Sequence, residues 1–186
     1  MGMPVHHRKY TVDDLDAMPD DGNRYEIIDG ELFVTPPPLM LHQRVQMAFI
    51  AELISFVPSI GAELFAAPIA VRASRDTQVG PDLIAVPLLS DADESMCYIP
   101  MARLLLAIDV LSPSTTKVDL ALKRRLYRRE RVNEYWTVDV RRRLVLVWTP
   151  GRQSPRVEDT TLVWYPQREG SPLMINLMIL FDRVHA

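Results

Sequence analysis

A single cysteine, Cys97, stands in a chain of 186 residues, so no internal disulfide can form. The N-terminal stretch MGMPVHHRKY carries basic residues with no apolar run behind them, unlike a secretory leader. Together these point to a reducing, cytoplasmic setting. No apolar run reaches the roughly 18 residues a membrane-crossing helix needs, which excludes a membrane role. A glycine-rich phosphate loop is also missing, which argues against a nucleoside triphosphatase. There is no internal repeat and no low-complexity linker. What is present is a hydrophobic content of 48%, ample for a core. The expectation is one domain over 1–186, with a helical extension at 1–20 and strands at 150–186 packing on the core.

The net charge of −3 hides an asymmetry. From Lys117 to Arg143 there are ten basic and four acidic residues, a local excess of +6 that leaves −9 for the rest. Such a basic patch suits a phosphate-bearing partner. It also suits a plain solvated helix face.

The pattern of elements is mixed. YTVDDLDAMP reads as a short helix capped by Thr11 and Asp14. RYEIIDGELFVT reads as a hairpin turning at Asp29-Gly30. From Met40 to about Val57, Leu41, Val45, Ala48, Phe49, Leu53 and Phe56 recur at helical spacing. ELFAAPIAVRA, TQVGPDLIAV and RLLLAIDVLS read as three strands, nearly continuous in apolar residues, as in a sheet covered on both faces. SPST is a turn. Lys117 to about Asn133 reads as a helix with Val118, Leu122, Leu126 and Tyr127 turned inward. EYWTVDV and RLVLVWTP form a second hairpin around Arg141 and Arg142. TTLVWY reads as a strand, and LMINLMILFDRV as a strand followed by a helical turn. The fold class is α/β (α+β), a mixed central β-sheet flanked by helices.

Against that frame two carboxylates stand out. Asp82 precedes an apolar strand in VGPDLIAV, and Asp109 ends another in LLLAID. An isolated charge in a dry interior costs several kcal/mol, so each must be neutralised, paired or bound to a cation. Carboxylates within about 4–6 Å repel unless a cation lies between them. Hard oxygen donors without clustered His or Cys favour Mg²⁺ or Mn²⁺ over Zn²⁺. The plainer alternative is that Asp82 starts a strand and Asp109 caps the Ser112–Thr115 turn. Lys123 shares a helix face with Asp119, four residues back. That pair reads either as a surface ion pair or as an ammonium reaching back toward the strand end to stabilise a phosphate. Glu26 shares its strand face with apolar Ile28, which suits a rim beside a site or an exposed edge. His42, in a helix's first turn, reads as a surface residue or a phosphate contact.

RYEIIDGELFV, PPP followed by HQ, VGPDLIAV, IDVLSPST, DLALKRRLY and NEYWTVD occur here in an order that resembles the bacterial Uma-two family. Its members are restriction-endonuclease-like proteins of the PD-(D/E)xK nuclease superfamily. The resemblance runs from about Tyr10 to Trp148. It implies a restriction-endonuclease-like core, a four-stranded mixed sheet flanked by helices with additional edge hairpins. It implies Asp82 and Asp109 as acidic metal ligands, with Glu26 as a further one. The superfamily's lysine would fall on Leu111, which cannot serve, and the position on the following helix matches Lys123. Relatives mostly carry glutamate at Asp109, one methylene longer, and tend to have Gly and Pro where this chain has Arg131 and Asn133.

The function this implies is a Mg²⁺- or Mn²⁺-dependent endonuclease acting on DNA. Asp82, Asp109, Lys123 and Glu26 would be its catalytic groups, and Arg124, Arg125, Arg128 and His42 its nucleic-acid contacts. The rival from a different class is a catalytically inactive module of the same fold that binds nucleic acid or forms a homodimer, with LMINLMILF as candidate interface or core. A third is a hydrolase of smaller phosphate esters.

Overall fold

The computed structural model describes residues 8–90, 93, 95–112, 118–167 and 170–185. The sequence-based readings for the N-terminal seven residues, for most of the SPST turn and for a helix start at Lys117 fall outside them.

In chain order the elements are α1 (Val12–Leu15), β1 (Arg24–Ile28), β2 (Glu31–Thr35), α2 (Met40–Leu53), α3 (Phe56–Ser59), β3 (Ala62–Ala66), β4 (Val71–Ser74), β5 (Thr77–Val79) and β6 (Leu83–Pro87). They continue with β7 (Ile99–Pro100), β8 (Leu106–Val110), a π-helical segment Val118–Lys123 running into α4 (Arg124–Arg129), β9 (Glu134–Asp139) and β10 (Leu144–Trp148). The chain ends with β11 (Arg156–Glu158), β12 (Thr161–Trp164), β13 (Leu173–Asn176) and α5 (Leu177–His185).

Local chemistry accounts for most of these boundaries. The Asp14 carboxylate accepts the Thr11 backbone N–H at 2.8 Å and closes the first turn of α1. Asp29 and Gly30 take φ of +53° and +84°, the left-handed pair that a two-residue hairpin turn demands. Two runs expected to be single strands are each divided. Pro68 ends the first, separating β3 from β4. Gly80, Pro81 and Asp82 end the second, separating β5 from β6. Proline offers no donor to a ladder, and this outweighs the apolar continuity. The helix expected from Met40 to about Val57 likewise divides into α2 and α3. Leu41, expected inward, is exposed, while Val45, Phe49 and Leu53 are buried.

The central sheet has six strands in the order β11-β10-β9-β8-β6-β3, with β8 parallel to β9 and the other pairs antiparallel. A five-stranded sheet, β2-β1-β5-β4-β7, and the β12–β13 hairpin complete the strands. One face of the central sheet buries Leu106, Ile108, Val110, Trp136 and Val138 with residues of α2, α3, α5 and the β12–β13 hairpin. Phe49, Trp136 and Trp164 pack ring to ring there, at 6.4 and 5.8 Å between centroids. The other face buries Ile84, Val86, Ala107 and Tyr135 with Val71, Val79, Leu126 and Tyr127 from the second sheet and α4.

The period of two along a strand then decides where the charges go. On β8, Leu106, Ile108 and Val110 face the first layer, so Ala107 and Asp109 face the second. On β6, Leu83 and Ala85 face the first, so Ile84 and the preceding Asp82 face the second. Leu83 pairs with Ile108, so both aspartates lie one step beyond the same register point.

Arg131, just past α4, has φ +56°. It occupies the position after a helix C-cap where glycine is usual. A left-handed conformation costs a side-chain-bearing residue about 1–2 kcal/mol, partly offset by the extra chain entropy glycine loses on folding. Arg131→Gly is therefore expected to stabilise the protein by about 0.5–1 kcal/mol in urea denaturation. A loss of stability would show that the arginine side chain makes a compensating contact.

Candidate active site

Lys123 is the hub. Its Nζ lies 2.9 Å from Glu26 Oε1, 3.1 Å from Asp109 Oδ1 and 3.4 Å from Asp119 Oδ1, and its side chain is 0% exposed. Glu26 comes from β1, Asp109 from β8, and Asp119 and Lys123 from the π-helical segment. The wider π-helical turn places Lys123 and Asp119 side by side inside the protein. Such segments are rare and recur at functional sites. The Asp119–Lys123 pair is thus a buried ion pair and not a surface one.

Glu26, Asp109 and Asp82 are also held by neutral donors or a second cation. The Gly80 N–H donates to Glu26 Oε1 at 2.7 Å. The Tyr135 hydroxyl donates to Asp109 Oδ2 at 2.9 Å. Asp82 Oδ2 accepts the Val110 N–H at 2.7 Å and the His42 Nε2–H at 3.0 Å. Asp82 Oδ1 accepts Arg24 Nη1 at 3.1 Å. Gln46, one turn beyond His42 on α2, donates to the Asp82 carbonyl at 2.9 Å. The break between β5 and β6 thereby brings three groups to one place: the Gly80 amide and, at Asp82, both backbone and side chain.

Four carboxylates, Glu26, Asp82, Asp109 and Asp119, face two permanent cations, Lys123 and Arg24, and all but Arg24 are 2% exposed or less. Burial pushes the Asp109 carboxyl up to about 7, opposed by Lys123 and assisted by Asp119, Asp82 and Glu26. For Lys123, burial works to lower the pKa, but Asp109, Glu26 and Asp119 outweigh it and hold the ammonium well above its ordinary range. For Asp82, burial works upward and is outweighed by His42, Arg24 and the Val110 amide, so the group lies below its ordinary value. The Tyr127 and Tyr135 phenols, 4.5 Å apart between ring centroids, are both pushed up by burial.

The excess negative charge can be relieved by a proton on Asp109 or by a cation. Among the described residues no three His, Cys, Asp or Glu side chains converge as a ready-made metal cage. Mg²⁺ does not require one, since it usually takes one or two protein carboxylates and completes its shell with waters and substrate phosphates. Hard oxygens and surplus negative charge make Asp82, Asp109 and Glu26 suitable donors for such an ion.

The structure thus brings Asp82, Asp109, Lys123 and Glu26 together. His42 joins them through Asp82 and does not sit on open surface. The arginines stand apart. Arg125 and Arg128 are exposed, and Arg124 lies over the Trp148 ring at 4.9 Å, lining a small cleft with Arg128 and Arg152. Sequence reasoning missed Arg24, Tyr135, Gly80 and Gln46 as members of the site.

The family model for Uma2, described as "Putative restriction endonuclease", matches residues 12–171. The chain belongs to the Uma2 family. A solved structure described as a "putative nuclease belonging to DUF820", from Anabaena variabilis, superposes with a TM-score of 0.76 at 19% identity, covering 94% of this chain and 99% of that one. At that identity the likeness speaks for the fold. No curated protein matches the chain. In this Uma2 chain the mixed α+β architecture expected from the sequence is the one observed. The central sheet has six strands, room for the core of four with extra edge strands that the resemblance implied, and β11 lies at one edge of it.

The raised Asp109 pKa has a pH signature. The folded state keeps this proton to about 7, while the unfolded chain releases it near 3.8. Its contribution to stability is therefore full below about pH 4 and is lost as pH rises toward 7, at up to about 1.4 kcal/mol per pH unit. Denaturation in EDTA at pH 5 and pH 8 should show wild type weaker at pH 8 and Asp109→Asn markedly less pH-dependent. Equal pH slopes would remove Asp109 as the titrating group.

Proposed function

We propose that this Uma2 protein is a DNA endonuclease with Mg²⁺ or Mn²⁺ as cofactor. The observation that carries the reading is the convergence of Glu26 from β1, Asp109 from β8 and Asp82 from the break before β6 on one side of the sheet, with the Lys123 ammonium among them. A divalent ion at such carboxylates supplies a bound water of lowered pKa and positive charge toward a scissile phosphate.

The chain's own groups have separable tasks. Asp82 and Asp109 offer the metal-binding oxygens. Glu26, fixed by the Gly80 amide, is the further acidic donor. Tyr135 sets the orientation of Asp109 through its hydroxyl. Lys123 keeps its proton and brings a preorganised positive charge to the phosphate in the transition state. The lysine reaches the acid from the helix after β8, which meets the need created by Leu111 two residues past Asp109. Arg125 and Arg128 offer exposed cations for backbone phosphates, with Arg124 beside them on Trp148, and such contacts give salt-sensitive binding with little base preference.

One observation favours a second reading. The acidic groups and Lys123 are nearly inaccessible in this conformation, as expected of a module of the nuclease fold that holds nucleic acid on the basic helix without cutting it.

Incubating purified protein with supercoiled and single-stranded DNA and Mg²⁺ or Mn²⁺ separates the two. The nuclease reading predicts cleavage that falls at least 100-fold in Asp82→Ala and Asp109→Asn, with folding verified by circular dichroism. Equal cleavage in wild type and both variants would expose a contaminant. Binding without cleavage under any metal would favour the module. Binding of Mn²⁺ should also raise the wild-type melting temperature by mass action, and Asp109→Asn should lose most of that response. An undiminished response would take Asp109 out of the metal site.

A further inference from the structure

We propose that Arg24 is the residue that seats the substrate's backbone phosphate beside the carboxylates, an inference that rests on the nuclease reading and extends it. Both of the arginine's hydrogen bonds leave from Nη1, to the Gly80 carbonyl at 2.8 Å and to Asp82 Oδ1 at 3.1 Å. Its Nε is buried and bonded to nothing, 4.0 Å from Glu26 Oε2 and beyond hydrogen-bond reach. The Nε–Nη2 edge is the planar fork that takes two oxygens of a phosphate at once. A guanidinium anchored by one nitrogen already has part of its rotamer entropy spent, which makes a phosphate contact cheaper to complete.

Accessibility supports the same group. The Arg24 side chain is 28% exposed, against 0% for Lys123 and 3% for Asp82. It lines a cavity of about 260 Å³ with Tyr25, Gln78, Gly80 and the Ala67–Ala70 turn. Arg24 therefore connects the enclosed carboxylates to solvent. Gly80 makes room for it: a Cβ there would lie 3.3 Å from Arg24 Cδ and 3.2 Å from the Ile69 carbonyl oxygen. The cavity's volume is enough to admit a phosphate group. Without substrate, Arg24 pairs with Asp82 through Nη1 and, at 4.0 Å, with Glu26 through Nε. With substrate, a shift of the guanidinium toward the cavity uncovers Nε, and the Nε–Nη2 edge then holds a phosphate within reach of the acidic groups.

The test is anisotropy titration of a fluorescein-labelled single-stranded 12-mer in EDTA at several salt concentrations, with cleavage in Mn²⁺ run in parallel. Arg24→Gln should bind about tenfold more weakly. The slope of log K against log salt should flatten by about 0.7, the signature of one lost phosphate contact on a single strand. Arg24→Lys keeps the charge but not the fork, so it should retain the slope and lose affinity about threefold. If Arg24→Gln does not fold, the affinity of folded Arg24→Lys decides: a threefold loss supports the fork and wild-type affinity overturns it. A purely structural arginine would leave the salt slope of a folded variant unchanged. Wild-type affinity and slope in the variants, with wild type cutting normally, would overturn the role of Arg24 alone. A wild type that neither binds nor cuts would overturn the nuclease reading and this proposal with it.

Discussion

An ammonium group sealed from water lets three carboxylates meet in the interior of this protein. Glu26, Asp109 and Asp119 all face Lys123 Nζ within 3.4 Å, and none of the four is more than 2% exposed. Without the cation each charge would carry a desolvation cost of several kcal/mol and repel its neighbours. With it, Asp109 Oδ2 accepts from Tyr135, Glu26 Oε1 accepts the Gly80 amide as well as the ammonium, and neighbouring Asp82 accepts from Val110, His42 and Arg24. A buried ion cluster is a poor source of net stability compared with apolar packing of the same volume. Its presence at that cost points to chemistry, and the same crowding of buried carboxylates pushes the Asp109 carboxyl up.

The fold supplies this cluster through ordinary rules. Alternation along β6 and β8 sends Asp82 and Asp109 to the same side of the central sheet, while their neighbours Leu83 and Ile108 build the opposite layer. The ladder ends at Gly80-Pro81-Asp82, which frees the Gly80 amide to hold Glu26. A π-helical segment brings Lys123 and Asp119 in from above. Membership of the Uma2 family and the likeness to a solved relative agree with this architecture.

Much of this was legible in the sequence, and for a physical reason. A carboxylate inside an apolar strand conflicts with local pattern, and such conflicts mark functional positions. Asp82, Asp109 and Glu26 were visible in that way. Lys123 was visible through the family resemblance and its spacing from Asp119. Spacing could not show burial, so Asp119 read equally well as one end of a surface ion pair. Arg24 gave no signal, because an arginine opening a hairpin strand is ordinary. Tyr135 read as core, and nothing in EYW shows that its hydroxyl meets Asp109 across the β8–β9 pairing. The long apolar runs hid the breaks at Pro68 and at Gly80 to Asp82, where ladder donors and backbone turning outweigh hydrophobicity. Leu41 was misplaced because helical spacing alone does not show where the first turn of α2 overhangs the core.

The most direct test of the central claim is equilibrium urea denaturation of Lys123→Met in EDTA. The substitution keeps the side chain's length and removes its charge. If the ammonium is what holds the carboxylates together, the variant should lose about 3–5 kcal/mol, the cost of leaving buried charges unpaired. A loss below about 1 kcal/mol, within the ordinary range of a near-isosteric core exchange, would contradict it.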